Sequence, residues 1–165
     1  FESINFAIIK KLPVLFVCEN NFYSVYSSLN VRQPIQRKIS KMVAGLGIKS
    51  FPVDGYNIDN TYKNLKKSTE YIKKGNGPIF VEFKTYRFLE HCGPNNDDVL
   101  NYRKKKEIKY WHSRDPLDFL KKKIIKKKKL NKIEQKINQE IVLAFKFASK
   151  SKFPSSKDFL KDLYA

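Results

Sequence analysis

The chain has 165 residues, 41% of them hydrophobic, which is enough for one compact domain with its own core. Its 34 basic and 16 acidic residues give a formal net charge of +18. The excess is almost all Lys, whereas bidentate recognition of phosphate or base edges favours Arg, so a nucleic-acid partner is not expected. The abundance of Lys, Ile and Asn instead fits a coding sequence biased towards A and T. No apolar run is long enough to span a membrane, so no membrane partner is expected. Cys18 and Cys92 form no disulfide framework, which points to a reducing, intracellular compartment. The chain starts at Phe1, inside an apolar-periodic stretch, and is expected to be a fragment of a longer polypeptide.

Phe1, Ile4 and Ile8 share one helical face, Lys10 and Lys11 suit the negative end of that helix, and Pro13 stops it. Val14 to Cys18 is short, continuous and apolar, as expected of a parallel strand buried on both faces, with Cys18 a buried thiol. The polar stretch from Glu19 to Pro34 is long for a plain connection, which marks it as functional. A helix is predicted over Ile35 to Leu46, with Gly47 as its C-terminal cap. Lys49 to Val53 reads as a short strand and Asp54-Gly55 as a turn. Ile58, Tyr62, Leu65 and Ile72 predict a third helix, ending at Lys73-Lys74-Gly75. Pro78 then opens the strand Ile79 to Phe83.

Alternation of strand and helix predicts an α/β fold, a parallel sheet covered by helices. In such sheets ligands bind beyond the carboxyl ends of the strands. The loops after Cys18 and Lys84 both leave such ends, so they are expected to meet over one site. Tyr86 to Arg103 is polar and is expected to be a mobile loop. Asp115-Pro116 should start a helix bearing Leu117, Leu120 and Ile124. After the lysine run Lys126 to Lys129, the spacing of Leu130, Ile133, Ile137, Ile141, Ala144, Phe145 and Ala148 predicts a long helix. A short final helix is predicted over Ser156 to Leu163, and Trp111 is expected in the core.

The segment Leu12-Pro13-Val14-Leu15-Phe16-Val17-Cys18-Glu19-Asn20-Asn21-Phe22-Tyr23 carries the chemistry. An apolar strand runs directly into two Asn and a Tyr. Side-chain and main-chain carbonyls there are hard oxygen donors suited to magnesium, although Asn pairs after strands are mostly turn formers. This string resembles the closing half of the thiamine-diphosphate motif in alpha subunits of 2-oxo acid dehydrogenases. The helix at Phe1-Glu2-Ser3-Ile4-Asn5-Phe6-Ala7, the segments Ala44-Gly45-Leu46-Gly47-Ile48 and Val53-Asp54-Gly55, and the run Gly77 to Arg87 are similar to the same family. So are Tyr102-Arg103, Trp111, Asp115-Pro116 and Leu163-Tyr164-Ala165.

The resemblance implies a division into residues 1–103, the C-terminal part of a thiamine-diphosphate-binding domain with an active-site loop over 86–103, and residues 104–165, a C-terminal helical extension. It implies that Asn21 binds magnesium through its side chain and Tyr23 through its main-chain oxygen. His91 takes the place of the family's active-site loop histidine, near the cofactor diphosphate and the reacting centre, where it donates to phosphate or moves a proton. Arg87 anchors the loop or reaches an anion, against the plain alternative of a surface salt bridge. The implied function is decarboxylation of a 2-oxo acid, with passage of the acyl group to a lipoyl carrier. The implied cofactors are thiamine diphosphate and Mg2+. The implied partners are a beta subunit, in an alpha-two beta-two heterotetramer, and the lipoyl acyltransferase component, in a bacterial cytoplasm or an organelle matrix. The family's Gly-Asp-Gly triplet, whose Asp is a further magnesium ligand, is expected upstream of Phe1, and the fragment alone is expected to be inactive.

Cys92 stands where mitochondrial members carry a regulatory Ser, which argues against phosphorylation there. The longer, more acidic loop Gly93 to Asp98 leaves the 2-oxo acid unnamed. The rival readings are a transketolase-like carbon–carbon ligase and a Lys-rich nucleic-acid-binding module. Zinc held by His91, Cys92, His112 and Cys18 fits no structural zinc spacing.

Overall fold

The computed structural model describes residues 1–124, 127–159 and 161. Two compact units divide the chain, Phe1–Phe119 and Leu120–Ala165. Among the described residues no helix is long and apolar enough to cross a membrane.

The first unit is built on a three-stranded parallel sheet. Its strands are β1 (Leu15–Asn20), β4 (Lys49–Asp54) and β5 (Ile79–Lys84), in the order β1-β5-β4. Ile79 pairs with Leu15 on one side and Lys49 on the other, and Lys84 with Asn20 and Asp54, so the carboxyl ends align. Pro52 is tolerated because β4 lies at an edge. Central β5 is buried along its first five residues. Its side chains alternate between two apolar layers. Ile79, Val81 and Phe83 join Val53, Ile72, Leu65 and Tyr71 under α4 (Ile58–Lys73). Phe80 joins Val43, Ile48, Ile4 and Ile8 beneath α1 (Glu2–Ile9) and α3 (Ile39–Ala44). Each fully buried aliphatic side chain contributes about 1.5–3 kcal/mol. The expected α/β class, a parallel sheet covered by helices, is therefore what forms.

Several local expectations are corrected. β1 is not buried on both faces: among the described residues only β5 pairs with it, and Val17 is 49% exposed. Cys18 is accordingly half-buried against the Phe80 layer. The stretch from Glu19 to Pro34 is not a plain loop. It holds the hairpin β2 (Tyr23–Ser24) and β3 (Ser27–Ser28), then one helical turn, α2 (Leu29–Arg32).

The helix expected from Ile35 begins instead at Ile39, because Lys38 is extended and Ile35 is 71% exposed. Its start is set from outside: the Glu82 carboxylate accepts from Ser40 N at 3.0 Å and caps the helix across the sheet. The 86–103 loop is tied down at both ends by buried Tyr86, Asp97 and Arg103.

A helix that the lysines of 104–106 hide, α5 (Lys105–His112), follows that loop and brings Trp111 into an aromatic cluster. Asp115 caps α6 (Pro116–Ile124) as expected, accepting from Leu117 N at 2.8 Å. In the second unit α7 (Lys127–Lys150) carries the predicted apolar spacing. Its Ile137 and Phe145 are exposed. Where a short final helix is predicted over Ser156 to Leu163, the described residues form only a 3-10 turn at Ser156–Asp158. Lys126 and the Leu163-Tyr164-Ala165 tail lie outside the described residues.

Candidate metal and cofactor site

At the carboxyl edge of the sheet, Thr85 N donates to Asn20 O at 2.9 Å, so the segments leaving β1 and β5 start side by side. The two Asn then divide the work. Asn20 is buried and fully engaged: Nδ2 donates to Glu82 at 2.8 Å and Oδ1 accepts from Phe22 N at 3.1 Å. Asn21 is only part-buried, and its Oδ1 accepts from Tyr23 N at 3.0 Å. These are two successive turns closed by Asn side chains, with Phe22 at φ 66 in the left-handed region between them. Glu82 was not singled out from sequence, but an acid inside the apolar run Ile79 to Phe83 was the available signal.

Tyr23 enters the hairpin, paired with Ser28, and the ring turns inward. Its hydroxyl lies 2.9 and 3.0 Å from the two Glu107 carboxylate oxygens of α5. Tyr86 and Tyr102 meet its ring edge-on at centroid distances of 6.4 and 5.6 Å. Burial first, then the Glu107 hydrogen bond and charge, push this phenol well above its ordinary range, so it stays a donor. Trp111 stacks on Tyr86 at 5.4 Å and completes the wall.

Arg87 holds the loop. Its Nη2 donates to Val25 O at 2.8 Å and to the Tyr102 hydroxyl at 3.0 Å. Tyr102 in turn donates to Asp97 at 2.7 Å. Buried Arg103 pairs with Asp97, with Asp98 at 2.8 Å, and donates to Arg87 O. The loop therefore closes on its own base and on the hairpin turn. Asp97, Tyr102, Arg103 and Glu107 were missed as supports, because contacts between remote segments leave no periodic trace.

Farther out, Glu90 N donates to Asn95 O at 2.9 Å and Asn95 Nδ2 to Glu90 at 2.7 Å, which cinches the crest. His91 and Cys92 project from that crest, both exposed. Among the described residues no hydrogen bond links His91 to Asn21 or Tyr23. The structure thus joins Asn21, Tyr23 and Arg87 through the hairpin and leaves His91 on the crest above. His112 stacks on Phe88 at 4.5 Å.

No group of three or more His, Cys, Asp or Glu is placed for a metal among the described residues. The oxygens at Asn21 and Tyr23 are neutral and hard, and the Asn21 carbonyl keeps a second lone pair beyond the turn it closes. That donor set fits a magnesium ion whose charge is balanced by a bound diphosphate.

A family model described as dehydrogenase E1 component matches residues 1–157. The chain is 32% identical to the pyruvate dehydrogenase E1 component subunit alpha of Rickettsia felis, over 99% of this chain and 51% of that protein. It is also 32% identical to the Zymomonas mobilis protein of the same name, over 99% of this chain and 46% of that one. The chloroplastic alpha-3 subunit of Oryza sativa is 32% identical over 100% of this chain and 39% of its own length. The chain spans about half the length of these relatives, or less. With the parallel sheet and the paired Asn turns at its carboxyl edge, the match over nearly the whole sequence leads to one conclusion: the chain belongs to the dehydrogenase E1 component family.

Proposed function

We propose that this chain is the part of a 2-oxo acid dehydrogenase alpha subunit that holds the magnesium-diphosphate end of thiamine diphosphate. The observation that carries the reading is the placement of Asn21, with its carbonyl held at the carboxyl edge of the sheet beside the loop of His91. Asn21 Oδ1 and the main-chain oxygen of Tyr23 bind the metal. Arg87 keeps the loop against the hairpin. His91 donates to a diphosphate oxygen or carries a proton near the reacting centre. When bound, thiamine diphosphate supplies the electron sink that makes decarboxylation of a 2-oxo acid feasible.

In this reading residues 1–103 supply the cofactor-binding part. Residues 104–165 are the helical extension, whose first helix, α5, folds back into the first compact unit. The names of the relatives, alpha subunits of pyruvate dehydrogenase, support a beta subunit as partner and a pyruvate-like substrate. In this proposal the onward step is acyl transfer to the lipoyl arm of an acyltransferase component. Bacterial and chloroplast relatives support a cytoplasmic or organelle-matrix setting.

The deciding experiment is calorimetric titration of the native full-length protein, first stripped of bound cofactor and metal, with thiamine diphosphate and Mg2+. Asn21→Ala is expected to abolish saturable binding. Unchanged cofactor affinity in that variant overturns the reading. His91→Ala is expected to bind cofactor more weakly and to lose 2-oxo acid decarboxylation.

A further inference from the structure

Tyr23 has two ends with different tasks. Its main-chain oxygen is a proposed metal donor, and its side chain runs the other way, into the aromatic wall. The backbone there has little support of its own. The hairpin consists of two residue pairs, far short of what stands alone in water. Phe22 and Val25 both sit at positive φ, at 66° and 53°, where non-Gly residues are disfavoured. Something outside the hairpin must fix where the Tyr23 carbonyl lies.

Arg87 holds the turn at Val25 O, and the outside support that reaches Tyr23 itself converges on its ring. Tyr86 and Tyr102 pack against it in edge geometry from the two ends of the 86–103 loop. The hydroxyl is taken by Glu107, 84 residues away. Glu107 is an unusual acid in so basic a chain. It follows three consecutive Lys and precedes Lys109 by two positions, yet among the described residues it makes no ion pair. Both of its oxygens lie within hydrogen-bonding distance of one phenol. A part-buried hydrogen bond to a carboxylate outweighs an exposed Lys pair, which solvent screens.

We infer that Glu107 is a positioning residue for the metal: by holding the Tyr23 hydroxyl it sets the Tyr23 main-chain oxygen, and it makes metal binding depend on α5. This rests on the function proposed above. Groups behind metal ligands typically change metal affinity 10- to 100-fold when removed, and Glu107 acts on a donor through one covalent residue.

The test uses Mn2+ as the probe, with thiamine diphosphate present, on the native holoprotein, by electron paramagnetic resonance. Glu107→Ala and Tyr23→Phe are each expected to weaken Mn2+ binding by about 10-fold or more. The double variant should be no weaker than the worse single one, because both remove the same bond. Glu107→Gln keeps an acceptor oxygen and should restore most of the affinity. Thermal midpoints without metal separate this effect from general loosening. Should Glu107→Ala not fold, the isosteric Tyr23→Phe carries the comparison. Wild-type Mn2+ affinity in Tyr23→Phe or Glu107→Ala, or additive losses in the double variant, overturns the inference alone. A wild-type protein without cofactor-dependent Mn2+ binding overturns the functional reading as well.

Discussion

Arg87 reaches across from the loop after β5 and donates to the main-chain oxygen of Val25, 2.8 Å away, so the loop bearing His91 is fastened to the turn that follows Asn21 and Tyr23. The same guanidinium meets the Tyr102 hydroxyl and lies 3.8 Å from Asp97. One side chain thus ties both ends of the 86–103 loop to a turn 62 positions earlier in the sequence.

Arg87→Met should destabilise the protein by about 2–3 kcal/mol, the scale of one lost charge-assisted hydrogen bond and its neighbours. Arg87→Lys should recover only part of this, since both bonds come from Nη2 at the far end of the planar guanidinium and the shorter Lys side chain also gives up Nη1, which lies 3.8 Å from Asp97. Urea midpoints measure both. Protease cleavage between Phe88 and Asn96 should quicken in the same order. A Lys variant as stable as wild type would refute this account of the fastening.

Asp97 and Arg103 are both buried, with side chains 4% and 1% exposed. Asp97→Ala leaves the Arg103 charge with Asp98 as its remaining acid partner in the pair network. Breaking a buried pair from one side typically costs about 3–5 kcal/mol. Chemical denaturation of Asp97→Ala should show a loss in that range, and Asp98→Ala, whose side chain is 26% exposed, a smaller one.

Gly55 sits where the end of β4 meets the end of β5. A Cβ there would lie 2.8 Å from Lys84 O and 2.8 Å from Thr85 Cγ2. One of those atoms is backbone inside the sheet edge and cannot yield cheaply. Gly55→Ala should cost about 1–3 kcal/mol, the range for overpacking. Gly93→Ala meets the flexible Glu90 side chain, at the Oε1 that accepts from Asn95, so it should loosen the crest yet cost less than Gly55→Ala. Comparing the two thermal midpoints checks the contrast.

Burial pushes the phenols of Tyr56 and Tyr86 up to about 12 from an ordinary 10. For Tyr56 the Asp115 charge adds to that, and for Tyr86 the Arg103 charge partly opposes it. The folded state binds these protons more tightly than the unfolded chain. Their contribution to stability is therefore complete below pH 10 and is lost as pH rises through about 12. Urea midpoints should fall across that window, together with the rise of phenolate absorbance. Urea midpoints that stay level from pH 10 to 12 would contradict the assignment.

The parallel sheet was legible because burial imposes short unbroken apolar runs, and Leu15, Phe16, Ile79, Phe80 and Val81 supply them. The helix α4 was legible for a similar reason, with Ile58, Leu65 and Ile72 on one stripe and Gly75 beyond the end. Asn21 and Arg87 stood out through residue type and family likeness. The start of α3 was not legible, since it depends on Glu82 reaching it across the sheet. Nor was α5, whose lysines mask a face that matters only once Trp111 finds Tyr86.

By itself the sequence determined the three sheet strands and the helices α1, α4, α6 and α7, and that a polar, Asn-rich turn follows the first strand, because those properties arise from neighbours along the chain. Only the tertiary structure decided that Asn20 is spent on Glu82 while Asn21 keeps a free lone pair, that Arg87 fastens a loop, and that Glu107 holds Tyr23. The bonds of Asn20, Arg87 and Glu107 join residues 62 or 84 positions apart, and nothing in local spacing encodes which donor will meet which acceptor after the sheet has formed.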